Sequence, residues 1–195
     1  MSSDLRRTLR QLKPYKHRAQ LVPRAESELE FIGTSSQRPS KLLYDTTVYV
    51  DILQGRFPQD GEAALRATEA WHSSVTAAEL AATCGLLDPA HSQTPEIIEK
   101  IAAIIDRCPA YRTITPDPEI WWEAGILSGI LARVQGYGRE QRRRVLNDAL
   151  LLATGRKHGC VVLTRNIQDF DLLQQVDPSG RVLFYRLSEV RLPRA

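Results

Sequence analysis

The stretch that most constrains the fold runs from Asn147 to Phe170. Leu146, Ala149, Leu150 and Ala153 fall on one face of a helix that the spacing predicts over Arg142–His158. Gly159 stops that helix, because a residue with no Cβ closes a helix end without strain. Cys160–Thr164 then reads as a short buried strand, and Arg165–Asn166 as a polar turn before a second helix over Gln168–Gln175. Helix, buried strand and helix in so few residues point to parallel strands joined by helical crossovers, a doubly covered α/β arrangement.

The same alternation extends back to Lys41. Lys41–Asp45 reads as a strand and Thr46–Gln54 as a helix whose first residue can cap it. Glu62–His72 is expected as helix, Ser74–Thr76 as a brief strand, and Ala77–Leu87 as helix, with Leu80, Cys84 and Leu87 on its apolar face. Pro95 suits the first turn of a helix over Glu96–Arg107. Tyr111–Ile114 reads as strand, Asp117–Val134 as a long helix, and Val182–Tyr185 as the last strand. The expected organisation is an α/β domain over residues 41–190 preceded by an arm over residues 1–40.

That arm is basic. Up to Lys41 there are nine Lys/Arg against four Asp/Glu, which leaves the remainder slightly acidic in a chain of net charge +3. Leu5, Leu9 and Leu12 at i, i+4, i+7 predict a short docking helix, followed by a polar segment with Pro14, Pro23, Gly33 and Pro39. The charge suits a polyanion or an acidic partner, and the alternative is a solvated, disordered tail. No run approaches the roughly 18 apolar residues of a membrane span, so no membrane association is expected. Cys84, Cys108 and Cys160 form no CxxC and have no His at zinc spacing, which favours buried free thiols and a reduced, cytoplasmic setting.

Carboxylates recur where such a fold places its crevice, beyond the carboxyl ends of the strands. Asp45 ends the first strand, and Asn166 and Asp169 follow the strand ending at Thr164. Glu79 and Asp148 lie on helices, each just off the apolar face. A carboxylate at a packed boundary costs free energy unless it is paired or metal-bound. Each alone reads equally well as a cap or an ion-pair member; the set is what a hard divalent cation with oxygen ligands needs.

Leu43-Tyr44-Asp45-Thr46, Ser74-Val75-Thr76-Ala77-Ala78-Glu79-Leu80, Asn147-Asp148-Ala149-Leu150-Leu151-Leu152-Ala153 and Leu163-Thr164-Arg165-Asn166-Ile167-Gln168-Asp169-Phe170 resemble, in order, the motifs of PIN-domain ribonucleases, and most of all the VapC toxins of bacterial toxin–antitoxin pairs. The resemblance covers about residues 41–187 and leaves the arm outside. It implies a PIN-like three-layer sandwich with a twisted parallel sheet between helices, and a Mg²⁺- or Mn²⁺-dependent endoribonuclease. It implies an RNA substrate such as tRNA, an antitoxin partner and a homodimer. Asp45, Glu79 and Asp148 match the acidic triad. Many members carry Asp at the fourth acidic position, where this chain has Asn166, and Asp169 is the neighbouring ligand candidate.

A carboxylate-held ion lowers the pKa of its bound water and offsets charge on the attacked phosphate. Thr46, Thr164 and Arg165 are candidate contacts to RNA or to the ligand carboxylates. Arg142, Arg143 and Arg144, with Arg139 before them, are candidate phosphate contacts or a solvated helix face. Trp121 and Trp122 cannot share one helix face, so one is expected in the core and the other at an interface. Asp51 is expected in solvent, and His17, His72, His91 and His158 in ordinary surface or packing roles. The competing functions are an RNA-processing nuclease without an antitoxin and a non-catalytic binding module. A phosphotransferase with a nucleophilic Asp after its first strand also competes, although Asp45-Thr46-Thr47 lacks the second carboxylate of that chemistry.

Overall fold

The computed structural model describes residues 2–35 and 39–187. Its five strands are β1 (Lys41–Tyr44), β2 (Glu69–Ser73), β3 (Thr113–Ile114), β4 (Val161–Thr164) and β5 (Val182–Phe184). They form one sheet in the order β3-β2-β1-β4-β5, and every pairing is parallel. The helices are α1 (Ser2–Leu12), α2 (Thr46–Leu53), α3 (Gln59–Ala67), α4 (Ser74–Leu86), α5 (Thr94–Asp106), α6 (Pro118–Gln135), α7 (Arg139–His158) and α8 (Ile167–Val176). This is the expected α/β sandwich, and none of these helices is long and apolar enough to cross a membrane.

Both faces of the sheet are covered, and the strand period of two assigns its side chains. Leu43 and Val162 join the core built by α6, α7 and α8. Leu42, Tyr44, Val161 and Leu163 join the opposite core with α2, α4 and α5. Two glycines let α7 lie against β4. Gly159 closes α7 with a positive φ of 68°, and a Cβ on Gly155 would meet Val162 Cγ2 at 3.0 Å.

The order of strands fixes where a crevice opens. The chain leaves β1 for β2 and β3 on one side, then returns to place β4 on the other side of β1. Crossovers therefore diverge between β1 and β4, and ligands in open parallel sheets bind beyond the carboxyl ends at such a point.

Two expectations fail here. The second strand is Glu69–Ser73 rather than Ser74–Thr76, and the helix before it ends at Ala67. Pairing with β1 in the register Lys41↔Glu69 overrides the helix preference of Glu69 and Ala70. Ser73 caps α4 by accepting the Val75 amide at 3.2 Å, which makes Ser74–Thr76 the first turn of a helix. Asp51 is fully buried rather than solvated, because Arg56, Arg165 and Tyr185 all donate to it.

Residues 2–35 lie along the α6 and α8 side. Thr8 and Leu12 of α1 are buried, while Leu5 and Leu9 stay 39% and 37% exposed, so the expected leucine face is turned and Thr8 takes the place of Leu9. Arg7 pairs with Glu119, and Arg133 donates to the Pro14 carbonyl at 2.8 Å. Further along, Gln135 and Gln175 donate to the Leu21 and Val22 carbonyls, and Arg24 pairs with the buried Asp171 at 2.6 Å. Residues 30–32 then pair with β5: Phe184 donates to Glu30 and Ile32 donates to Phe184, both at 2.8 Å. The added segment covers a sheet edge that would otherwise present free backbone groups.

Candidate active site

Asp45 leaves the end of β1 and caps α2. Its Oδ1 accepts from the Thr46 amide at 2.7 Å, and its Oδ2 accepts from the hydroxyls of Thr47 at 2.7 Å and Thr164 at 2.6 Å. The carboxyl is buried, and burial pushes its pKa up against those donors, which pull it down. Parallel pairing of β1 with β4 brings Thr164 beside it.

Glu79 stands on α4, six residues past the Ser73 cap. Its Oε2 accepts from the Thr46 hydroxyl, and its Oε1 from the Asn147 amide at 2.7 Å. Asp148, next to Asn147 on α7, accepts from Asn166 Nδ2 at 3.2 Å. Asn166 caps α8, accepting the Asp169 amide at 3.3 Å, and its Nδ2 also reaches Asp169 Oδ2 at 3.1 Å. One amide thus sits between two carboxylates.

The electrostatics follow from this gathering. Asp148 is held well above the usual carboxylate range, by burial first and then by the charges of Asp45, Asp169 and Glu79. Each of those neighbours is acidic, so among the described residues nothing cationic offsets Asp148. Among the described residues, no three Asp, Glu, His or Cys side chains already stand at ligand spacing. Neutral donors from Thr46, Asn147 and Asn166 occupy the carboxylate oxygens instead. The donor chemistry, hard oxygens with excess negative charge, fits Mg²⁺ or Mn²⁺.

The other candidates divide. Thr46 and Thr164 both spend their hydroxyls on carboxylates. Arg142, Arg143 and Arg144 are exposed on the first turns of α7, and Arg144 lies one helical turn before Asp148 while reaching Glu140 at 3.3 Å. Arg165 faces away from the acidic group and pairs with Asp51 at 2.7 Å. Trp121 is 48% exposed and Trp122 half-buried, and His72 meets the Tyr49 hydroxyl. A cleft of about 1360 Å³ near Arg56, Phe57 and Arg186 contains none of the acidic candidates.

Three residues at the site escaped the sequence reading: Thr47, which donates to Asp45, Asn147 and Tyr137. Asn147 sits one helix position before Asp148, about 100° round the axis, which turns it toward Glu79. Tyr137, in the α6–α7 loop, has its phenol pKa raised by burial and then by the charges of Asp169 and Asp148. The adjacency of Asn147 to Asp148 was a usable signal; nothing in the sequence marked Tyr137.

Asn166→Asp has an expected result that follows from these contacts. It removes the amide that donates to Asp148 and Asp169 and adds a third carboxylate. The metal-free variant should melt lower than wild type, and Mn²⁺ should raise its melting temperature by more. Equal Mn²⁺ responses in the two proteins would remove Asn166 from the candidate metal ligands.

No protein-family profile matches the sequence, and no curated protein does either. Solved structures do match, and they define the fold as PIN-like. One is a chain of VapBC2 from Rickettsia felis, solved bound to a promoter DNA fragment: 17% identity, TM-score 0.52, covering 75% of this chain and 99% of that one. DNA-bound VapBC from Salmonella typhimurium gives 19% identity and TM-score 0.52, over 74% of this chain and 97% of that one. FitAcB from Neisseria gonorrhoeae gives 20% and 0.53, over 73% and 96%.

Proposed function

We propose that this protein is a metal-dependent endoribonuclease and the toxin of a toxin–antitoxin pair, acting on RNA in the cytoplasm as a homodimer. The observation that carries the proposal is the gathering of Asp45, Glu79, Asp148 and Asp169 at the β1–β4 switch point, with no cationic side chain beside Asp148 among the described residues. The fold shared with chains of VapBC and FitAcB complexes supports a protein antitoxin as partner. An antitoxin segment bearing an Arg would pair with these carboxylates.

In this reading Asp45, Glu79 and Asp148 are the catalytic carboxylates and, with Asn166 and Asp169, hold Mg²⁺ or Mn²⁺. Such an ion, when bound, supplies water of lowered pKa and offsets charge on the scissile phosphate. The chain's own part is positional. Thr47 and Thr164 fix the Asp45 carboxylate, and Thr46 and Asn147 fix Glu79, so the donor oxygens are aimed before any ligand arrives. Arg142, Arg143 and Arg144, exposed on the helix that carries Asp148, take the RNA phosphates.

Total RNA incubated with the purified protein and Mg²⁺ or Mn²⁺ should give discrete fragments whose ends can be mapped, and a chelator should prevent them. RNA that stays intact with either ion would overturn the proposal.

A further inference from the structure

We infer that Asp51 and Arg165 are a positioning pair that sets the Thr164–Asn166 turn at the acidic site. The inference rests on the nuclease reading for what that turn serves. Asp51 lies on α2, and none of its side chain reaches solvent. Its Oδ2 accepts from Arg165 Nε at 2.7 Å and from the Tyr185 hydroxyl at 2.8 Å. Its Oδ1 accepts from Arg56 at 3.0 Å and from Arg165 Nη2 at 3.5 Å. A fully buried carboxylate with two guanidinium partners and a phenol is a fixed anchor, because moving any donor leaves a buried charge short of partners.

What Arg165 holds is the useful part. Its backbone amide donates to the Thr47 hydroxyl at 3.2 Å, and that hydroxyl donates to Asp45 Oδ2. On one side of Arg165 stands Thr164, whose hydroxyl donates to the same Asp45 oxygen and accepts the Asn166 amide at 2.9 Å. On the other side stands Asn166, which bridges Asp148 and Asp169. The anchor therefore reaches Asp45 along one branch and Asp148 along the other, without touching either. A planar, forked guanidinium is suited to this, since two parallel bonds fix orientation as well as distance. It also accounts for an arginine beside an acidic cluster being turned into the protein.

The test uses the full chain and two variants, Asp51→Asn and Arg165→Gln. The second changes a partly exposed side chain and keeps the experiment informative if the first does not fold. Mn²⁺ affinity is titrated by calorimetry, and the amide signals of Asn166 and Asn147 are followed by NMR in metal-free buffer. Loss of an outer-shell partner of a metal site costs about 10–100-fold in affinity. The expected result is at least a tenfold loss of Mn²⁺ affinity in folded variant protein, with the Asn166 signals shifted and those of Asn147 unmoved. The double variant should lose no more than the worse single one, since both act through one contact. A lower melting temperature with unchanged Asn166 signals would make the pair merely structural and overturn the inference. If wild type itself binds no Mn²⁺ while the Asn166 signals still shift in the variants, the nuclease reading fails and the positioning role of the pair stands.

Discussion

Asp148→Asn protein should fold, melt at a higher temperature than wild type in metal-free buffer, and leave RNA intact. The side chain keeps its shape, so its packing on α7 is retained. What is lost is a charge held among three other acids, with burial opposing it as well. Removing a charge that has no cationic partner relieves repulsion in the folded state, whereas losing a metal ligand removes the ion. Cleavage should fall by more than about a hundredfold, beyond the loss typical of an outer-shell partner. Wild type should gain melting temperature on adding Mn²⁺ and the variant should gain almost none. The pH dependence has a definite sign. The carboxyl of Asp148 is raised in the fold, so between its unfolded and folded pKa values the native state binds more protons. Metal-free wild type should therefore become more stable as pH falls through the folded value, and the variant should lose that component. Full cleavage by a well-folded Asp148→Asn protein would overturn the metal mechanism.

In the candidate site, Asp45 and Asn166 were legible because each caps the helix beside it, whereas Glu79 and Asp148, whose partners lie 18 to 68 residues away, were reached through the resemblance of their motifs. Asp45 ends β1 and caps α2 directly, and Asn166 caps α8 three residues before Asp169. Both are local signatures, and the strands that carry them, β1 and β4, are apolar enough to be read on sight. β2 is different. Its sequence, Glu69-Ala70-Trp71-His72-Ser73, becomes a strand only because β1 pairs with it, and no local pattern records that pairing. Asp51 looked like a solvated helix residue for the same reason. Its donors Arg165 and Tyr185 are 114 and 134 residues away, so the sequence shows a lone charge where the fold shows a buried network. Residues 2–35 read as a basic arm because their charges are obvious, while three of their attachments are backbone carbonyls accepting from Gln135, Gln175 and Arg133. A hydrogen bond to a carbonyl leaves no trace in composition.

Expression of the chain without a partner should slow growth and cleave a narrow set of structured RNAs, with tRNA the expected target. The acidic group lies beyond the carboxyl ends of β1 and β4 rather than inside the cleft near Arg56, and Glu79, Asp148 and Asp169 are partly exposed, so a partner segment laid across it can reach those three carboxylates. Silencing by such a segment needs only one guanidinium placed where the ion belongs, since a charge-assisted bidentate pair replaces what the site lacks. The control variants differ in what they disturb. Asp45→Ala removes a ligand but also the α2 cap and the acceptor for Thr47 and Thr164, a loss of about 1 kcal/mol or more for the cap alone. Its harmlessness could then reflect poor folding. Asp148→Asn has no such cost, because the donor to its carboxylate among the described residues is the Asn166 amide, which can donate equally to an amide oxygen. Growth arrest with wild type, none with Asp148→Asn at equal folded protein, and intact RNA in the variant cells would tie toxicity to the carboxylate. If wild type is harmless at high expression and total RNA stays whole, the toxin reading fails. RNA cleaved in vitro by that same harmless protein would instead assign it a processing role, in which substrate choice rather than an antitoxin restrains the acidic site.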